Sequence, residues 1–222
     1  ATQTQTEAAS QTKTQGQTEA QTTPEAPSPE ASGEACPSPR HKASGPQATT
    51  HAASLATAVS PAPSYRLAMA DISWITDRLA VGGGIWTREN LDEVARAGVT
   101  HIINTQVEFD DRTLLAPGEN HLRILPLPMD DDFQPKAAEL LEQGVRFAAE
   151  VLAQPNARLL IHCASGVHRS PLVALAILCA QGMALREAMR LILNCRPQAD
   201  FPDPYLDSVE DFLASWQAQR ET

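Results

Sequence analysis

The chain reads HCASGVHRS from His162 to Ser170, and apolar runs flank this stretch at residues 159–161 and 172–178. The first run is short, which is typical of a buried strand, whereas the second is long enough for a buried helix. Pro171 follows the stretch directly, and its fixed φ suits the first turn of a helix. The sequence therefore predicts a tight loop that leaves a strand and enters a helix.

The predicted loop is suited to hold an anion. Backbone N–H groups that face inward at a helix N-terminus attract phosphate oxygens. The guanidinium of Arg169 can donate to two of those oxygens at once. Cys163 lies at the mouth of the loop, where the same positive field favours a thiolate. A thiolate beneath a bound phosphate is placed for in-line attack on phosphorus.

The spacing of these residues resembles the protein tyrosine phosphatase superfamily, whose small dual-specificity branch has the pattern HCxxGxxRS. The identical positions are His162, Cys163, Gly166, Arg169 and Ser170. This resemblance implies an α/β fold, in which helices flank a small, mainly parallel central sheet. The alternative is a buried structural cysteine in a strand–helix turn, but it leaves the glycine, the arginine and the serine without a role.

The resemblance also implies a role for each residue of the loop. Cys163 is the expected nucleophile, and Arg169 is expected to bind the phosphate and stabilise the charge on its equatorial oxygens. Ser170 would donate a hydrogen bond to the departing sulfur, and His162 would fix the loop without transferring protons. The phosphate oxygens would be held by the backbone amides of Ala164, Ser165, Gly166, Val167, His168 and Arg169. No metal or other cofactor is implied, because these amides and the guanidinium supply the positive field.

A second chemical feature is the aspartate run from Asp130 to Asp132. A carboxylic acid near the leaving oxygen can protonate it, and the resulting carboxylate can then deprotonate the water that hydrolyses the phosphocysteine. The dual-specificity family carries its acid in an aspartate-containing loop ahead of the cysteine, and Asp131 lies 32 residues before Cys163. We predict Asp131 as the acid, followed by Asp130 and then Asp132. The run can also serve as an acidic N-cap of the next helix, and the two roles are compatible.

The free positions of the loop bear on the substrate. Ala164, Ser165, Val167 and His168 include no lysine, whereas the phosphoinositide-cleaving branch of the family has lysines there. The expected substrates are therefore phosphotyrosine and phosphoserine or phosphothreonine in proteins. A phosphatase of a small metabolite or lipid and a non-catalytic phosphate-binding module remain the alternatives.

Composition divides the chain into two parts. All ten aromatic residues lie from Tyr65 onward, and residues 1–64 consist largely of Thr, Gln, Ala, Ser, Pro and Glu. Such a segment buries too little apolar surface to offset its conformational entropy. The sequence therefore predicts a disordered tail over residues 1–64 and one catalytic domain over residues 70–218. Within the domain, short apolar runs predict strands at residues 72–76, 79–81, 99–104, 121–128 and 158–161, the first two around a turn, and a helix that opens at Pro135. Of the net charge of −10, −8 falls after residue 64, which argues against nucleic acid or an anionic membrane as the main partner.

The cysteines indicate a compartment. Cys36, Cys163, Cys179 and Cys195 show no CxxC pair and no metal-ligand spacing. We therefore expect no disulfide framework, which is typical of the reducing cytoplasm, and we expect Cys179 and Cys195 in the core. The start of the sequence shows no signal-peptide pattern, and no apolar run is long enough to span a bilayer.

The sequence leaves the roles of two features near the predicted site open. Asn104 ends a predicted strand on the side of the site, where it can brace a loop. The following residues 106–119 carry Glu108, Asp110 and Asp111. A solvated acidic face is the expected role of these three residues, and contact with the substrate is the alternative.

Overall fold

The computed structural model of the chain describes Cys36 and residues 70–220. The predicted tail of residues 1–64 lies outside the described residues, apart from Cys36. The described chain begins with two short strands, β1 (Ile72–Trp74) and β2 (Leu79–Gly82). They pair antiparallel around a tight turn, as the sequence predicts.

Strands and helices then alternate along the chain. In order they are α1 (Arg88–Arg96), β3 (His101–Asn104), a short 3₁₀ helix (Asp111–Leu114), β4 (Arg123–Pro126), α2 (Ala138–Leu152), β5 (Leu159–His162), α3 (Arg169–Ala180), α4 (Leu185–Cys195) and α5 (Asp203–Arg220). The strand order in the sheet is β1-β2-β5-β3-β4, and every pair except β1–β2 is parallel. The predicted fold class is thereby confirmed.

The core lies on both faces of this sheet. Val81, Ile103 and Ile161 pack into the larger cluster, which also contains side chains of α2 to α5. Their strand neighbours Ile102 and Leu160 point to the opposite face and pack with side chains of α1. This alternation follows from the two-residue period of a strand. Because α3 is buried over its first ten residues, it is the central helix of the domain.

Helix α2 begins three residues later than Pro135, where the sequence predicted its start. The intervening segment makes other hydrogen bonds. The backbone N–H of Gln134 donates to Asp132 Oδ1 at 3.0 Å, and that of Lys136 donates to Ser208 Oγ on α5 at 2.8 Å. Ala137 is extended, with a ψ of 135°, so the helix starts only after it. None of the helices within residues 70–220 is long and apolar enough to cross a membrane.

The expectation that the chain has no disulfide is wrong. Cys36 and Cys195 form one, with their Cα atoms 5.5 Å apart although the two residues are 159 positions apart in the sequence. A pairing over such a distance leaves no local spacing signal, so the sequence could not indicate it. Cys195 also packs at the edge of the core, as predicted, and so does Cys179. Burial raises the pKa of the free Cys179 thiol to about 11.

Candidate active site

Strand β5 ends at His162 and helix α3 begins at Arg169, so residues 162–170 form the predicted strand–loop–helix connection, here called the phosphate loop. The loop lies at the carboxyl ends of the parallel strands, the edge at which α/β sheets bind ligands. Gly82 ends the neighbouring β2, and its carbonyl accepts hydrogen bonds from Cys163 N at 3.4 Å and Ser170 Oγ at 3.2 Å.

The Cys163 sulfur is buried and receives two hydrogen bonds. Gly166 N donates to Sγ at 3.1 Å, and Ser170 Oγ donates to it at 3.3 Å. Hydrogen bonds to a sulfur stabilise its charged form. Gly166 has a φ of +68°, and a Cβ there would collide with the guanidinium of Arg196. Only glycine therefore lets the loop curl over the sulfur in this way.

The carbonyls of the loop point outward. Gly84 N donates to Ala164 O at 3.0 Å, and Asp200 N donates to Val167 O at 2.8 Å. The Arg196 guanidinium donates to the carbonyls of Ser165 and Gly166. In a trans peptide the next N–H points away from the carbonyl. The N–H groups that follow these carbonyls therefore face into the loop, where they can hold an anion.

Arg169 is buried and uses only part of its guanidinium. Nη1 donates to Glu108 Oε2 at 3.0 Å and to Met129 O at 3.1 Å, and Nη2 donates to Glu108 Oε1 at 2.8 Å. Nε has no hydrogen-bond partner among the described residues, although an Asp131 oxygen lies 3.5 Å away. Nε–H and the second Nη2 hydrogen thus form an open edge of the fork, which matches two phosphate oxygens.

The ion pair between Arg169 and Glu108 keeps both groups charged. Hydrogen bonding to the guanidinium lowers the pKa of Glu108 below its usual value. Burial acts to lower the pKa of Arg169, but Glu108, Cys163 and Asp131 together raise it. The carboxylate therefore orients a permanently charged guanidinium at the base of the phosphate loop.

His162 is also buried, and a second acid holds it. Its Nε2 lies 2.6 Å from Oδ2 of Asp111, which is itself fully buried. Asn104 Nδ2 donates to the other oxygen of Asp111 at 3.0 Å and to Phe109 O at 2.8 Å. Asn104 thus braces the loop that follows β3. The expected solvated face is wrong for Asp111, because its carboxylate is buried against His162.

Residues 128–133, here called the acid loop, carry three aspartates that have different surroundings. Asp130 is exposed, and Asp132 pairs with Lys136, which lowers the pKa of Asp132. Asp131 contacts two residues of the phosphate loop. Its Oδ1 lies 3.3 Å from His168 Nδ1, and its Oδ2 lies 3.5 Å from Arg169 Nε. Asp131, which the sequence predicted as the acid, is therefore the aspartate that faces the phosphate loop.

Tyr205 of α5 supports Asp131 from the other side. Its hydroxyl donates to Asp131 Oδ1 at 3.2 Å and to the Asp130 carbonyl at 3.3 Å. Burial, together with the nearby carboxylates, raises the pKa of Tyr205 to about 12, so the hydroxyl remains a donor. His168 lies between Asp131 and Asp200, whose oxygen is 3.5 Å from Nε2, and Phe133 contacts the imidazole edge-on.

Sequence reasoning missed four supporting residues, namely Glu108, Asp111, Arg196 and Tyr205. Arg196 is fully buried and pairs with Asp71, with Nη2 and Oδ2 2.6 Å apart. Each of these side chains reaches the phosphate loop or the acid loop from a distant part of the sequence. The one usable signal was His162 itself, because a buried imidazole N–H needs an acceptor such as a carboxylate. Among the described residues, no group of three or more His, Cys, Asp or Glu side chains is arranged to hold a metal ion.

Comparison with known families agrees with this geometry. The profile described as "Dual specificity phosphatase, catalytic domain" matches residues 84–215, which is more than half of the chain. The chain therefore belongs to the dual-specificity phosphatase catalytic-domain family.

Two curated relatives lie in the same family. Protein phosphatase Slingshot homolog 3 of Rattus norvegicus is 28% identical over 145 residues, which make up 63% of this chain and 21% of that protein. Dual specificity protein phosphatase 9 of Homo sapiens is 27% identical over 123 residues, or 53% of this chain and 31% of that protein. The chain thus spans between a fifth and a third of the length of these relatives.

Solved structures share the fold. The crystal structure of PTPMT1 matches with a TM-score of 0.58 at 20% identity and covers 68% of this chain and 98% of that chain. The structure of Tk-PTP in the active form matches with a TM-score of 0.55 at 24% identity and covers 64% of this chain and 95% of that chain. These likenesses establish the fold of the described domain.

Proposed function

We propose that this chain is a cysteine-dependent phosphatase that hydrolyses phosphomonoesters in proteins through a phosphocysteine intermediate. The observation that carries the proposal is the open edge of Arg169. A buried Nε–H that has no hydrogen-bond partner in the described part of the chain lies at the base of the same loop as the Cys163 sulfur. A phosphate dianion fits this edge and the inward N–H groups.

In the first step Cys163 attacks phosphorus. The sulfur lone pair forms the S–P bond while the bond from phosphorus to the ester oxygen breaks. Asp131 gives its proton to that oxygen, so the leaving group departs as a neutral alcohol or phenol. Arg169 and the loop amides stabilise the charge on the equatorial oxygens. The contact of Asp131 with Arg169 and its hydrogen bond from Tyr205 hold the carboxyl group beside the phosphate loop, and this proximity supports the role.

In the second step water hydrolyses the phosphocysteine. The Asp131 carboxylate accepts a proton from water, the water oxygen bonds to phosphorus, and the S–P bond breaks to leave a thiolate. The hydrogen bonds from Ser170 and Gly166 to Sγ support stabilisation of that thiolate. His162 acts through position alone, because it is fully buried and its Nε2 is hydrogen-bonded to the buried Asp111 carboxylate.

Protein phosphomonoesters are the proposed substrates. The phosphate loop offers no lysine for additional phosphate groups on a lipid headgroup. Its rim carries acidic side chains instead, including Asp130 and the exposed Asp200. Such a rim disfavours polyanionic ligands and favours neutral or basic residues beside the phosphate. The Cys36–Cys195 disulfide removes the ground on which the cytoplasm was expected, so no compartment is proposed.

Rapid acid quenching during turnover of a ³²P-labelled phosphopeptide tests the proposal. We expect the label to appear on the protein at Cys163 and to be absent from the Cys163→Ser variant. Cys179→Ser is the matched control and should retain the labelled intermediate. Turnover without any labelled protein would contradict the covalent mechanism, and phosphopeptide binding without turnover would indicate a non-catalytic module. Faster turnover of a phosphoinositide than of the phosphopeptides would overturn the proposed substrate class.

A further inference from the structure

The imidazole of His168 lies between the carboxyl groups of two aspartates. Its Nδ1 is 3.3 Å from Oδ1 and from Oδ2 of Asp131, and its Nε2 is 3.5 Å from Oδ2 of Asp200. The side chains of His168 and Asp131 are only 19% and 24% exposed, whereas that of Asp200 is 67% exposed. The contact with Asp131 is therefore the more shielded from water, and it joins the phosphate loop to the acid loop.

Neighbouring groups hold the imidazole in this place. Phe133 of the acid loop packs edge-on against it, with the ring centroids 5.1 Å apart. The backbone of Asp200 is tied to the phosphate loop, since its N–H donates to Val167 O at 2.8 Å. The acid loop and the segment before α5 thus both fix the position of His168 relative to Asp131.

A neutral imidazole carries one donor nitrogen and one acceptor nitrogen, so His168 can match either proton state of Asp131. When Asp131 is a carboxylic acid, its O–H donates to Nδ1, and the Nε2 proton faces the carboxylate of Asp200. When Asp131 is a carboxylate, the ring proton lies on Nδ1 and Nδ1 donates to it. The proposed reaction needs Asp131 first as an acid and then as a base, so a partner that suits both states fits this position.

Tyr205 makes the two oxygens of Asp131 unequal. Its hydroxyl donates to Oδ1 at 3.2 Å, so Oδ1 is an acceptor and the acidic proton belongs on Oδ2. Oδ2 is also the oxygen that lies 3.5 Å from Nε of Arg169, at the open edge of the guanidinium. The proton of Asp131 is therefore held on the side where the phosphate ester is proposed to bind.

We propose that His168 is a positioning residue for this reaction, because it hydrogen-bonds to Asp131 in both proton states and keeps Oδ2 directed at the leaving oxygen. The inference rests on the proposed phosphatase activity and adds a residue to it. Asp131 still gives a proton to the ester oxygen and takes one from water, and His168 acts only through Asp131.

Steady-state kinetics of the full chain with two substrates test this role. The leaving group of p-nitrophenyl phosphate departs readily as an anion, whereas an alkyl phosphate needs a proton on its leaving oxygen. We expect His168→Leu to lower kcat/KM for the alkyl phosphate at least about tenfold more than for p-nitrophenyl phosphate, a part of the total contribution of a general acid. A merely structural role of His168 would lower both values by the same factor.

Three further measurements complete the test. The amide of His168→Asn reaches the position of Nδ1 and can donate or accept after rotation, so this variant should bring the ratio of the two kcat/KM values to within about threefold of the wild type. His121→Leu, at an exposed imidazole that pairs with Glu119, should leave the ratio unchanged. Competitive inhibition by inorganic phosphate reports on the phosphate loop alone, and its constant should change by less than about threefold in each variant.

The outcomes separate this proposal from the one on which it rests. Equal losses for the two substrates in His168→Leu, no loss for either, or a His168→Asn variant that does not restore the ratio would overturn the role of His168. Turnover by the wild type that survives Cys163→Ser, or no turnover at all, would refute the cysteine-dependent phosphatase itself.

Discussion

The phosphate loop and the acid loop meet at Asp131, but the fold holds them in different ways. The phosphate loop is fixed at its carbonyls, at the Cys163 sulfur and at both ends by groups from distant parts of the chain. The acid loop is more exposed, and Asp131 is held mainly by Tyr205 and by the phosphate loop itself. The proposed roles match this difference, since binding a dianion in one geometry calls for a loop held at many points, whereas giving and taking a proton calls only for a carboxyl group within reach.

The largest effect should follow from Arg169→Lys. Lysine keeps the charge but cannot present two parallel N–H groups or hold Glu108 with a fork. We expect kcat/KM for an aryl phosphate to fall by about 10³-fold, the upper range for loss of a transition-state donor. Steady-state kinetics measure this, with Arg123→Lys as the control because Arg123 makes an exposed ion pair far from the loop. A loss below tenfold would show that the open guanidinium edge does not bind phosphate.

A smaller loss should follow from Asp131→Asn, and it separates the three aspartates. The amide cannot donate an acidic proton, so kcat for an alkyl phosphate should fall by about 10²-fold. Asp130→Asn and Asp132→Asn should change kcat by less than about threefold, because neither side chain contacts the phosphate loop. Equal losses of kcat in the Asp130 and Asp131 variants would mean that the contacts with Tyr205 and His168 do not determine which aspartate is the acid.

Arg196→Met tests whether the Arg196 guanidinium stabilises the phosphate loop. The change removes donors from the Ser165 and Gly166 carbonyls and leaves Asp71 without its partner. We expect the free energy of unfolding to fall by about 2 kcal/mol. Urea unfolding monitored by circular dichroism measures this loss, and Arg146→Met on the exposed face of α2 should cost far less. Equal stability of the two variants would contradict a stabilising role of Arg196 under the phosphate loop.

The smallest effect concerns pH and Glu108. Its pKa is lowered by Arg169, so the pair stabilises the fold above the unfolded value of 4.5 and is lost as the pH falls through the lower folded pKa. We expect the stability difference between the wild type and Glu108→Gln to be present at neutral pH and to shrink below pH 4.5. Urea unfolding over this pH range measures it. A difference that grows on acidification would show that Glu108 is not ionised beside Arg169.

Local sequence predicted much of the fold and part of the site. The five strands were placed by short apolar runs, and the order of strand, loop and helix around Cys163 follows from residues that are neighbours in the chain. Helix α2 was placed too early, because Ala137 is extended and Lys136 before it bonds to Ser208 of α5. The acidic residues at 108 and 111 were expected on a solvated face, because their partners lie about fifty to sixty positions later in the chain.

The sequence by itself determined the phosphate loop. The spacing of Cys163 and Arg169, with a glycine between them, allows one strand–loop–helix geometry, because the backbone that cradles an anion is formed by consecutive residues. Tertiary structure alone decided which carboxylates hold His162 and Arg169, and that Cys36 reaches Cys195. These pairings join segments that are far apart in the chain. Their distances are set only when the sheet and its helices have packed.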